Sequence, residues 1–418
     1  MTAPDARTAK AMPTQGQLTL SLLDVLAEKP RGPKALADEL ARRSDVSPEV
    51  RNARVTIDGG RRTVNSFDRH VRFALLKARA LKLVESPSRN LWTLTPKGEN
   101  GLRTATRGVV ITLITGEHGI GLWGYAEDAA ALLDDGSVAL LLTSPPYPLL
   151  TQKTYSNLPE REHTEWLVRM IERYMPKIDK QGSIVLNVAD CYRRGKPVLS
   201  TYVDRMIVRL EDELGLQLSG RFVWDKGSAV LPAPTEWCNR RRCVVKSSTE
   251  WLLHFAVDSE GRTRANNRNV LVPYSDDMKR LIARGGQKAA VRPSGYSMGA
   301  GAFSANNDGA IPTNVLRVSN TSSNDAYHVG CKKLGILRHP ARFPNAIPNF
   351  FIRYLTDSPD HLVADIFGGS GTTAEEAERL DRPWFIVERD MTSLASAHVR
   401  LAPVVENYVW HGGQLAAA

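Results

Sequence analysis

Short apolar runs alternate with amphipathic stretches along most of the chain, beginning at Val109. Runs this short are typical of buried strands, and Glu165–Met175 and Thr201–Leu214 have the spacing of helices that pack on a sheet. Buried strands that alternate with helices predict an α/β fold with a doubly wound sheet. The apolar runs are Val109–Ile114, Val138–Leu142, Ser183–Val188, Phe222–Trp224, Trp251–Phe255, Leu362–Phe367 and Trp384–Val387.

A long polar segment interrupts this pattern between residues 256 and 335. It is rich in Asn, Ser, Gly and Arg, and so long a polar insertion in an α/β domain is usually functional or disordered. Residues 99–108 have the composition of a linker. We therefore predict four regions, which are residues 1–105, 109–255, 256–335 and 336–418.

The positive charge of the chain is concentrated near its N-terminus. The whole chain has 55 Lys and Arg against 45 Asp and Glu; residues 1–108 hold 20 against 11, and the remainder holds 35 against 34. A phosphate backbone is the usual partner of so basic a segment. The alternative is a basic surface that only keeps the segment soluble.

The basic region has the pattern of three helices followed by a two-stranded ribbon. This order, together with the closing Leu94–Gly98 (LTPKG), resembles winged helix-turn-helix domains, which bind DNA. A small helical packing module is the alternative. Ser66 is expected to cap the third helix. The predicted elements are a helix with Leu18 to Leu26 that stops at Pro30, helices at Lys34–Arg43 and Ser66–Leu83, and strands at Leu83-Val84 and Leu91–Leu94.

Composition argues against several other classes of protein. No stretch approaches the roughly 18 uninterrupted apolar residues of a membrane helix, and the first residues lack the apolar run of a secretory signal. Four cysteines cannot form a disulfide scaffold, and no pair has CxxC spacing, so we expect free thiols and no metal site. The expected location is the cytoplasm.

A glycine-rich turn follows the strand that ends in Asp365 and Ile366. The turn, Phe367–Thr373 (FGGSGTT), leads into a helix, and the next strand ends in Glu388. Glycines permit a tight turn and let a ligand approach backbone N–H groups, and an acid after the second strand can accept the protons of ribose hydroxyls. The turn is neither GxGxxG nor GxxxxGK[ST], and a purely structural turn is the alternative.

A second motif, Thr143–Tyr147 (TSPPY), stands at the tip of another predicted strand. The two prolines stiffen the loop and remove two backbone donors. Ser144 then offers a hydroxyl and Pro145 a carbonyl, while Tyr147 offers a flat face for stacking. Two acceptors beside an aromatic ring suit the amino group of a nucleobase. A rigid surface turn is the alternative interpretation.

Together the two motifs resemble the amino-methyltransferases of bacterial restriction–modification systems, in the permuted, beta-type order with the catalytic motif first. TSPPY is similar to the cytosine-N4 subgroup, and the similarity is greatest to the PvuII type. It extends over about residues 112–400 and leaves out the basic N-terminal region. The other matching segments are Phe222–Lys226, Pro234–Trp237, Arg292–Gly295, Gly309–Pro312 and His339–Pro344.

This resemblance implies a Rossmann-like methyltransferase fold that uses S-adenosyl-L-methionine. The expected reaction is methylation of the exocyclic N4 amino group of a flipped-out cytosine in double-stranded DNA. Ser144 and the Pro145 carbonyl would accept hydrogen bonds from that amine, Pro146 would stiffen the loop and Tyr147 would stack on the base. Adenine-N6 methylation is one alternative, and a non-catalytic winged-helix regulator is another. Methylation at cytosine C5 is not expected, because no cysteine follows a proline.

The resemblance also implies which residues hold the cofactor. Asp365 would orient the loop and the methionine amino group, and Glu388 would hold the ribose. Tyr125 stands where the family usually has Asp; it would stack on the adenine, or Glu127 or Asp128 would substitute. The remaining candidates are Phe367, Gly368, Gly369, Ser370, Gly371, Thr372 and Thr373 of the loop, with Phe343 and Pro344 near the methionine end. A structural lead-in to the cofactor strand is the alternative for the segment that contains these last two.

DNA recognition is expected in residues 256–335, the target-recognition region, and its flanks. This region would separate a catalytic half, 109–255, from a cofactor-binding half, 336–418. Arginine suits phosphate and guanine contacts, although a solvated charged face is the alternative. The candidates are Arg240, Arg241, Arg242, Lys246, Arg292 and Asn320–Asn324. Double-stranded DNA is the expected partner; a homodimer and a cognate restriction endonuclease for the same site are left open.

Overall fold

The computed structural model describes residues 15–43, 46–57, 61–96, 98, 104–148, 160–193, 195–227, 236–319, 325–339, 341–342 and 344–412. Within these ranges the apolar side chains form three buried clusters. One cluster belongs to the N-terminal region, and the other two lie on opposite faces of a large sheet. No helix in the described ranges is long and apolar enough to cross a bilayer.

The N-terminal region packs its helices around Leu22, Leu36, Phe67 and Leu75, all of which are buried. The three predicted helices and the closing ribbon are present. Between the second and third of them lie a short helix and a hairpin that were not predicted. The elements are α1 (Gln15–Glu28), α2 (Pro33–Arg43), α3 (Pro48–Asn52), β1 (Arg54–Ile57), β2 (Arg62–Asn65), α4 (Ser66–Ala80), β3 (Val84–Ser88) and β4 (Leu91–Leu94).

The prediction that Ser66 caps α4 was wrong. Asn65 is the cap, because its side-chain oxygen accepts a hydrogen bond from the backbone N–H of Asp68 at 2.9 Å. The helix also ends earlier than predicted, at Ala80. Lys82 has a left-handed φ of 60°, so the backbone leaves the helix there and turns into β3.

The main sheet of the described residues has ten strands, in the order β13-β9-β10-β8-β7-β14-β15-β6-β5-β16. All seven predicted apolar runs overlap its strands. Three of its members, β6, β13 and β16, were not predicted. The strands are β5 (Ile111–Thr115), β6 (Gly119–Trp123), β7 (Val138–Thr143), β8 (Ile178–Val188), β9 (Gln217–Asp225), β10 (Thr249–Ala256), β13 (Val315–Arg317), β14 (Leu362–Asp365), β15 (Trp384–Glu388) and β16 (Val409–Trp410), and a separate hairpin has β11 (Ala290–Val291) and β12 (Ser297–Met298).

The five central strands, β8, β7, β14, β15 and β6, run parallel to one another. Their carboxyl ends therefore meet at one edge of the sheet, where ligands of open α/β sheets bind. The strand β10 runs antiparallel to β8 and β9. It consequently enters the sheet at that same edge and adds the side chains of its first residues to it.

Helices cover both faces of this sheet, which confirms the doubly wound prediction. Leu167 and Met206 pack on one face, and Phe351 and Leu394 pack on the other. The helices are α5 (Ala126–Ala129), α6 (Glu160–Tyr174), α7 (Tyr202–Leu214), α8 (Asp276–Ala283), α9 (Ala326–Leu334), α10 (Ala346–Leu355), α11 (Thr372–Arg379) and α12 (Met391–Leu401), with short 3-10 turns at Ala130–Leu132, Met175–Lys177 and Asn267–Val270 and a π turn at Glu236–Arg240.

The polar region 256–335 has little regular structure of its own, as its composition suggests. It contains α8 and the small hairpin of β11 and β12. Its strand β13 joins the edge of the main sheet beside β9. Its last helix, α9, packs against α12 of the C-terminal part. The C-terminal part of the region is therefore tied to the α/β core through β13 and α9.

Candidate active site

Two neighbouring strands bring the two sequence motifs together. β7 ends at Thr143, directly before Ser144, and β14 ends at Asp365, directly before the glycine-rich turn. Since β7 and β14 are paired in parallel, both loops leave the sheet at the same edge. The hydroxyl of Thr143 donates a hydrogen bond to Oδ1 of Asp365 at 2.7 Å, so the loops are also linked directly.

Asp365 is a buried carboxylate that holds the glycine loop in place. Besides Thr143, it accepts hydrogen bonds from the hydroxyl of Thr373 at 2.7 Å and from the backbone N–H of Phe367 at 3.1 Å. Burial raises the pKa of Asp365, although these three donors oppose that effect by favouring the charged form. These contacts hold both ends of the turn in place.

The turn itself depends on glycine at two positions. Gly369 and Gly371 have left-handed φ values of 49° and 73°, which side chains with a Cβ adopt only at a cost. A Cβ on Gly369 would lie 3.3 Å from the His339 ring, and one on Gly371 would lie 2.9 Å from Cβ of Ala397. The backbone of the loop is therefore packed closely from two sides. The helix α11 starts at Thr372, directly after Gly371 and inside the predicted turn.

A buried hydroxyl in this loop has no hydrogen-bond partner within the described part of the chain. Ser370 is only 3% exposed, and its Oγ forms no hydrogen bond with any residue that the structure describes. Buried polar groups are almost always hydrogen-bonded. An unsatisfied hydroxyl in a tight loop at the carboxyl edge of a sheet is therefore suited to a polar ligand.

The acid predicted at the end of the second strand is tied to the loop. Oε2 of Glu388 accepts a hydrogen bond from the backbone N–H of Gly369 at 3.0 Å, and Oε1 accepts one from the backbone N–H of Asp390 at 2.7 Å. Burial, with a smaller contribution from the charge of Asp390, raises the pKa of Glu388 to about 7. The carboxylate of Glu388 therefore lies directly beside the glycine turn.

The catalytic-loop candidates Ser144 and Tyr147 converge on Asn187, which lies near the end of β8. Oδ1 of Asn187 is 3.2 Å from the Ser144 hydroxyl and 3.2 Å from the Tyr147 hydroxyl, and these two hydroxyls are 3.4 Å apart. Asn187 is itself buried. The loop is therefore anchored to the neighbouring strand through side chains as well as through the backbone.

Behind Asn187 lies a buried ion pair between Lys226 and Glu250. Their side chains are 4% and 5% exposed. Glu250 stands on β10, where that strand enters the sheet, and its Oε2 accepts hydrogen bonds from Asn187 and from the Tyr147 hydroxyl, both at 3.0 Å. Burial, followed by the charge of Glu250, raises the pKa of Tyr147 well above its usual value. Tyr147 therefore stays protonated, and its ring is held at the hydroxyl end.

A second bridge between the loops runs through α6. Nε2 of His163 donates to the carbonyl of Pro146 at 2.5 Å, and burial lowers the pKa of this histidine. The His163 ring lies 5.6 Å from that of Trp166, which in turn lies 5.6 Å from that of Phe367 in the glycine turn. A neutral histidine and two aromatic rings thus connect the proline loop to the glycine loop.

Tyr125 follows Gly124, whose backbone N–H donates to the Glu388 carbonyl at 3.1 Å. This hydrogen bond places the Tyr125 backbone near Glu388. The Arg107 guanidinium stands over the Tyr125 ring, 4.7 Å from its centroid. Glu127 and Asp128, the alternatives to Tyr125 for holding the adenine, form hydrogen bonds with other parts of the chain. Glu127 accepts from the Trp166 indole at 3.2 Å, and Asp128 accepts from the Gly108 N–H at 2.7 Å.

Of the two residues expected at the methionine end, Phe343 lies outside the described residues. The carbonyl of Pro344 accepts from the backbone N–H of Ile347 at 3.0 Å and helps to start α10. Asn345, the next residue, donates to Glu375 and Glu376 of α11 at 2.9 Å and 2.7 Å. With His339 against Gly369, this segment packs along the glycine turn and the helix that follows it.

The basic residues expected to contact DNA differ in their pairing. Arg240 and Arg241 both form ion pairs with Glu236 of the same turn, at 3.4 Å and 3.0 Å. Arg242, Lys246 and Arg292 are exposed and form no ion pair with the residues that the structure describes. Arg292 stands at the turn of the β11–β12 hairpin. Asn320–Asn324 lie outside the described residues.

Several residues at this site were not singled out in the sequence. Asn187 is the polar member of an otherwise apolar run after Ser183. Lys226 ends the matching segment Phe222–Lys226, two residues after the predicted strand, but was given no role. Both were visible as polar residues at strand ends. Their partner Glu250, and the link from Thr143 to Asp365, could not be recognised without knowing which strands are neighbours.

Two family models match the chain. One, described as DNA methylase, matches residues 138–398. The other, described as the Mrr N-terminal domain, matches residues 16–104. The two matches correspond to the α/β sheet and to the basic N-terminal region, respectively.

The chain is also similar to individual proteins. It is 40% identical over 281 residues to the type II methyltransferase M.PvuII of Proteus hauseri, a match that covers 66% of this chain and 82% of that protein. Among solved structures, it matches the PvuII DNA methyltransferase described as cytosine-N4-specific with a TM-score of 0.55 and 32% identity, over 71% of this chain and 90% of that one.

Proposed function

This chain belongs to the DNA methylase family, and we propose that it transfers a methyl group from S-adenosyl-L-methionine to the exocyclic N4 amino group of a cytosine in double-stranded DNA. The similarity to an enzyme described as cytosine-N4-specific supports the choice of base and atom. The TSPPY sequence of the loop at Thr143–Tyr147 supports the same choice.

The observation that carries the proposal is the common edge at which the two loops meet. The hydrogen bond from Thr143 to Asp365 is 2.7 Å long, and each residue adjoins one of the two motifs. Methyl transfer needs the amine and the methyl donor aligned within one pocket, because alignment contributes a large part of the rate enhancement. Loops on opposite edges of the sheet would be incompatible with this reaction.

The glycine loop fits the proposed cofactor on three grounds. Ser370 offers a buried hydroxyl with no partner among the described residues, the glycines at 369 and 371 allow close approach of a ligand, and Glu388 offers a carboxylate beside the loop for ribose hydroxyls. When bound, S-adenosyl-L-methionine supplies a methyl group made electrophilic by a sulfonium. Phe367 and Tyr125 would pack against it, and Asp365 would keep the loop in position.

Ser144 and Pro145 would activate the amine. The lone pair of a cytosine amino group is delocalised into the ring, so the amine is a poor nucleophile. Hydrogen bonds from its two protons to the Ser144 hydroxyl and the Pro145 carbonyl favour a pyramidal nitrogen, whose lone pair is directed out of the ring plane. This is electrostatic stabilisation by groups that are already in place.

Tyr147 would hold the base after it leaves the duplex, since the amine cannot be reached inside the helix. Its hydroxyl is anchored to Glu250 at 3.0 Å, which restricts the ring to a narrow range of orientations. Pro146 stiffens the same loop, and its carbonyl is held by His163. A rigid ring loses little entropy when a base stacks on it.

DNA binding would be shared between the N-terminal region and the flanks of the site. The exposed cations Arg242, Lys246 and Arg292 suit phosphate or base contacts. In the N-terminal region, the exposed Arg69 and Arg72 of α4 supply further positive charge. Residues 256–335 would read the target sequence.

The test is nucleoside mass spectrometry of unmethylated plasmid DNA treated with the purified protein and deuterium-labelled S-adenosyl-L-methionine. We expect labelled N4-methylcytosine, and the Ser144→Ala variant should produce much less of it while binding the cofactor normally. Labelled N6-methyladenine would contradict the cytosine assignment. If the folded protein bound the cofactor without labelling any DNA, a non-catalytic regulator would be favoured instead.

We also propose that the enzyme works in the cytoplasm. Its four cysteines are free, as expected for the reducing cytoplasm where chromosomal DNA lies. A cognate restriction endonuclease would cleave the site that this enzyme protects. Sequencing of modified cytosines in cells that express the protein identifies that site, and light scattering distinguishes a monomer from a homodimer.

A further inference from the structure

The side-chain amide of Asn187 has only one orientation that satisfies its neighbours. Nδ2 lies 3.0 Å from Oε2 of Glu250 and 3.2 Å from the carbonyl of Trp251. Both neighbours are acceptors, so the NH₂ group must face them. The carbonyl oxygen of the amide is consequently directed to the other side, toward Ser144 and Tyr147.

The ion pair with Lys226 keeps Glu250 in the role of acceptor. Lys226 donates to Oε1 of Glu250 within an almost fully buried ion pair, so Oε2 is left to accept other hydrogen bonds. Lys226 also stands 4.2 Å from the centre of the Trp224 ring, which holds the ammonium from a further side. Oε2 of Glu250 therefore accepts hydrogen bonds from Asn187 and from Tyr147 together.

These contacts determine where the hydroxyl protons go. The Tyr147 hydroxyl has one hydrogen to donate, and it donates to Glu250 at 3.0 Å because a carboxylate is a stronger acceptor than the Asn187 amide oxygen. Ser144 then has two neighbouring acceptors, Oδ1 of Asn187 at 3.2 Å and the Tyr147 oxygen at 3.4 Å. In either contact Ser144 donates its one hydroxyl hydrogen. Toward a substrate it can then act only as an acceptor, through the lone pairs of its oxygen.

We propose that Lys226, Glu250 and Asn187 are positioning residues that make the Ser144 hydroxyl an obligatory hydrogen-bond acceptor toward the target amine. This inference rests on the proposed function. A serine hydroxyl rotates freely on its own and could equally well point its proton at the amine. The network excludes that orientation before the substrate binds, because the buried ion pair of Glu250 sets which groups in it donate and which accept.

The experiment compares Asn187→Ala with Ser144→Ala in a double-mutant cycle. The measured quantity is the single-turnover rate of methyl transfer at saturating S-adenosyl-L-methionine and DNA. We expect Asn187→Ala to lower the rate by about 10²-fold, as for other losses of alignment, with dissociation constants for both ligands within about twofold of the wild type. In the Ser144→Ala background the same change should have almost no further effect, since residues that act as a unit are non-additive.

Ser183→Ala is the matched control. Ser183 is buried on the same strand as Asn187, and its hydroxyl is hydrogen-bonded to His254 of β10 at 3.0 Å. The change removes a buried contact between the same two strands, at a position away from the loops. We expect a loss of thermal stability and an unchanged rate. Asn187→Leu, which keeps most of the side-chain volume, replaces Asn187→Ala if the alanine variant does not fold.

The outcomes separate the two proposals. If the wild type transfers no methyl group, the proposed function fails. If the wild type is active and the losses from Asn187 and Ser144 multiply, the residues act independently and the inference is wrong. An equal loss of rate in Ser183→Ala would also overturn it, because the effect would then be general to the contact between these strands.

Discussion

The Thr143 hydroxyl donates a 2.7 Å hydrogen bond to the Asp365 carboxylate, although the two residues are 222 positions apart. Each residue ends a strand, and each strand continues into one of the two loops. The oxygen of Thr143 also accepts a hydrogen bond from the Phe367 N–H at 3.2 Å. One threonine side chain therefore connects the end of the catalytic strand to the start of the glycine turn.

Replacing Thr143 with valine should disturb both loops together. The change keeps the shape of the side chain but leaves the buried Asp365 with one donor fewer, which costs about 1–2 kcal/mol of unfolding free energy. We expect weaker binding of S-adenosyl-L-methionine and slower methyl transfer. Denaturant titration and calorimetric titration of the cofactor measure the two effects.

Thr356→Val is the control for this change. Thr356 is equally buried, and its hydroxyl contacts the carbonyl of Ile352 at the end of α10. We expect a similar loss of stability with normal cofactor affinity. If Thr143→Val also left the affinity unchanged, the connection between the loops would have no part in cofactor binding.

Cofactor affinity should depend on pH through Glu388. Its pKa is raised to about 7, and only the ionised carboxylate accepts hydrogen bonds from both ribose hydroxyls. We therefore expect the affinity for S-adenosyl-L-methionine to fall as the pH is lowered below about 7, by up to about tenfold per pH unit. Calorimetric titrations on both sides of that pKa would follow this change. Glu388→Gln should bind weakly and without that dependence.

The same group should influence folding stability in the opposite direction. The folded protein binds the Glu388 proton more tightly than the unfolded chain, whose carboxyl has its ordinary pKa of 4.5. The contribution of Glu388 to stability therefore falls as the pH rises from about 4.5 to about 7. Comparing denaturant unfolding of wild type and Glu388→Gln at several pH values isolates this contribution, and parallel curves would contradict it.

Gly369→Ala should abolish cofactor binding. The new Cβ would face the His339 ring at 3.3 Å, in a backbone conformation that is already left-handed. Gly136→Ala is the control, because Gly136 also has a left-handed backbone, with a φ of 68°, but a Cβ added there would have no atom within 4 Å. Both variants should lose roughly 1–2 kcal/mol from backbone strain, and only Gly369→Ala should fail to bind in a cofactor titration. Equal binding by the two variants would argue against a cofactor at this loop.

DNA affinity should depend on the exposed cations of α4. We expect the triple variant Arg69→Gln, Arg72→Gln, Lys77→Gln to bind DNA more weakly and with a shallower dependence on salt. Each cation that neutralises a phosphate contributes about 0.9 to the slope of log K against log salt, so its removal should reduce the slope by that amount. Fluorescence anisotropy with a duplex at several salt concentrations measures it.

Exposed cations elsewhere provide the control for that experiment. Arg169, Lys180 and Arg205 lie on α6, β8 and α7 and carry the same total charge. Their replacement by Gln should leave the salt slope unchanged. If the α4 variant behaved like this control, the basic N-terminal region would have a partner other than DNA.

Much of this fold can be read from local patterns. The seven apolar runs predicted strands, because a buried strand in a parallel sheet is apolar along its whole length. The turn at Phe367–Thr373 was evident from its glycines. The strand Gly119–Trp123 (GIGLW) was missed because two glycines break its apolar run, and the β1–β2 hairpin was missed because its short strands carry charged and polar residues.

Local patterns in the sequence are enough to predict seven strands of the main sheet, the start of the two loops, and Ser144 and Glu388 as candidates for the chemistry. These properties follow from spacing and turn geometry over a few residues. The partners of these residues are set by the three-dimensional arrangement: Asp365 for Thr143, Glu250 for Asn187, and Lys226 for Glu250. Such pairs depend on the order in which distant strands are arranged side by side, and that order results from packing the whole core.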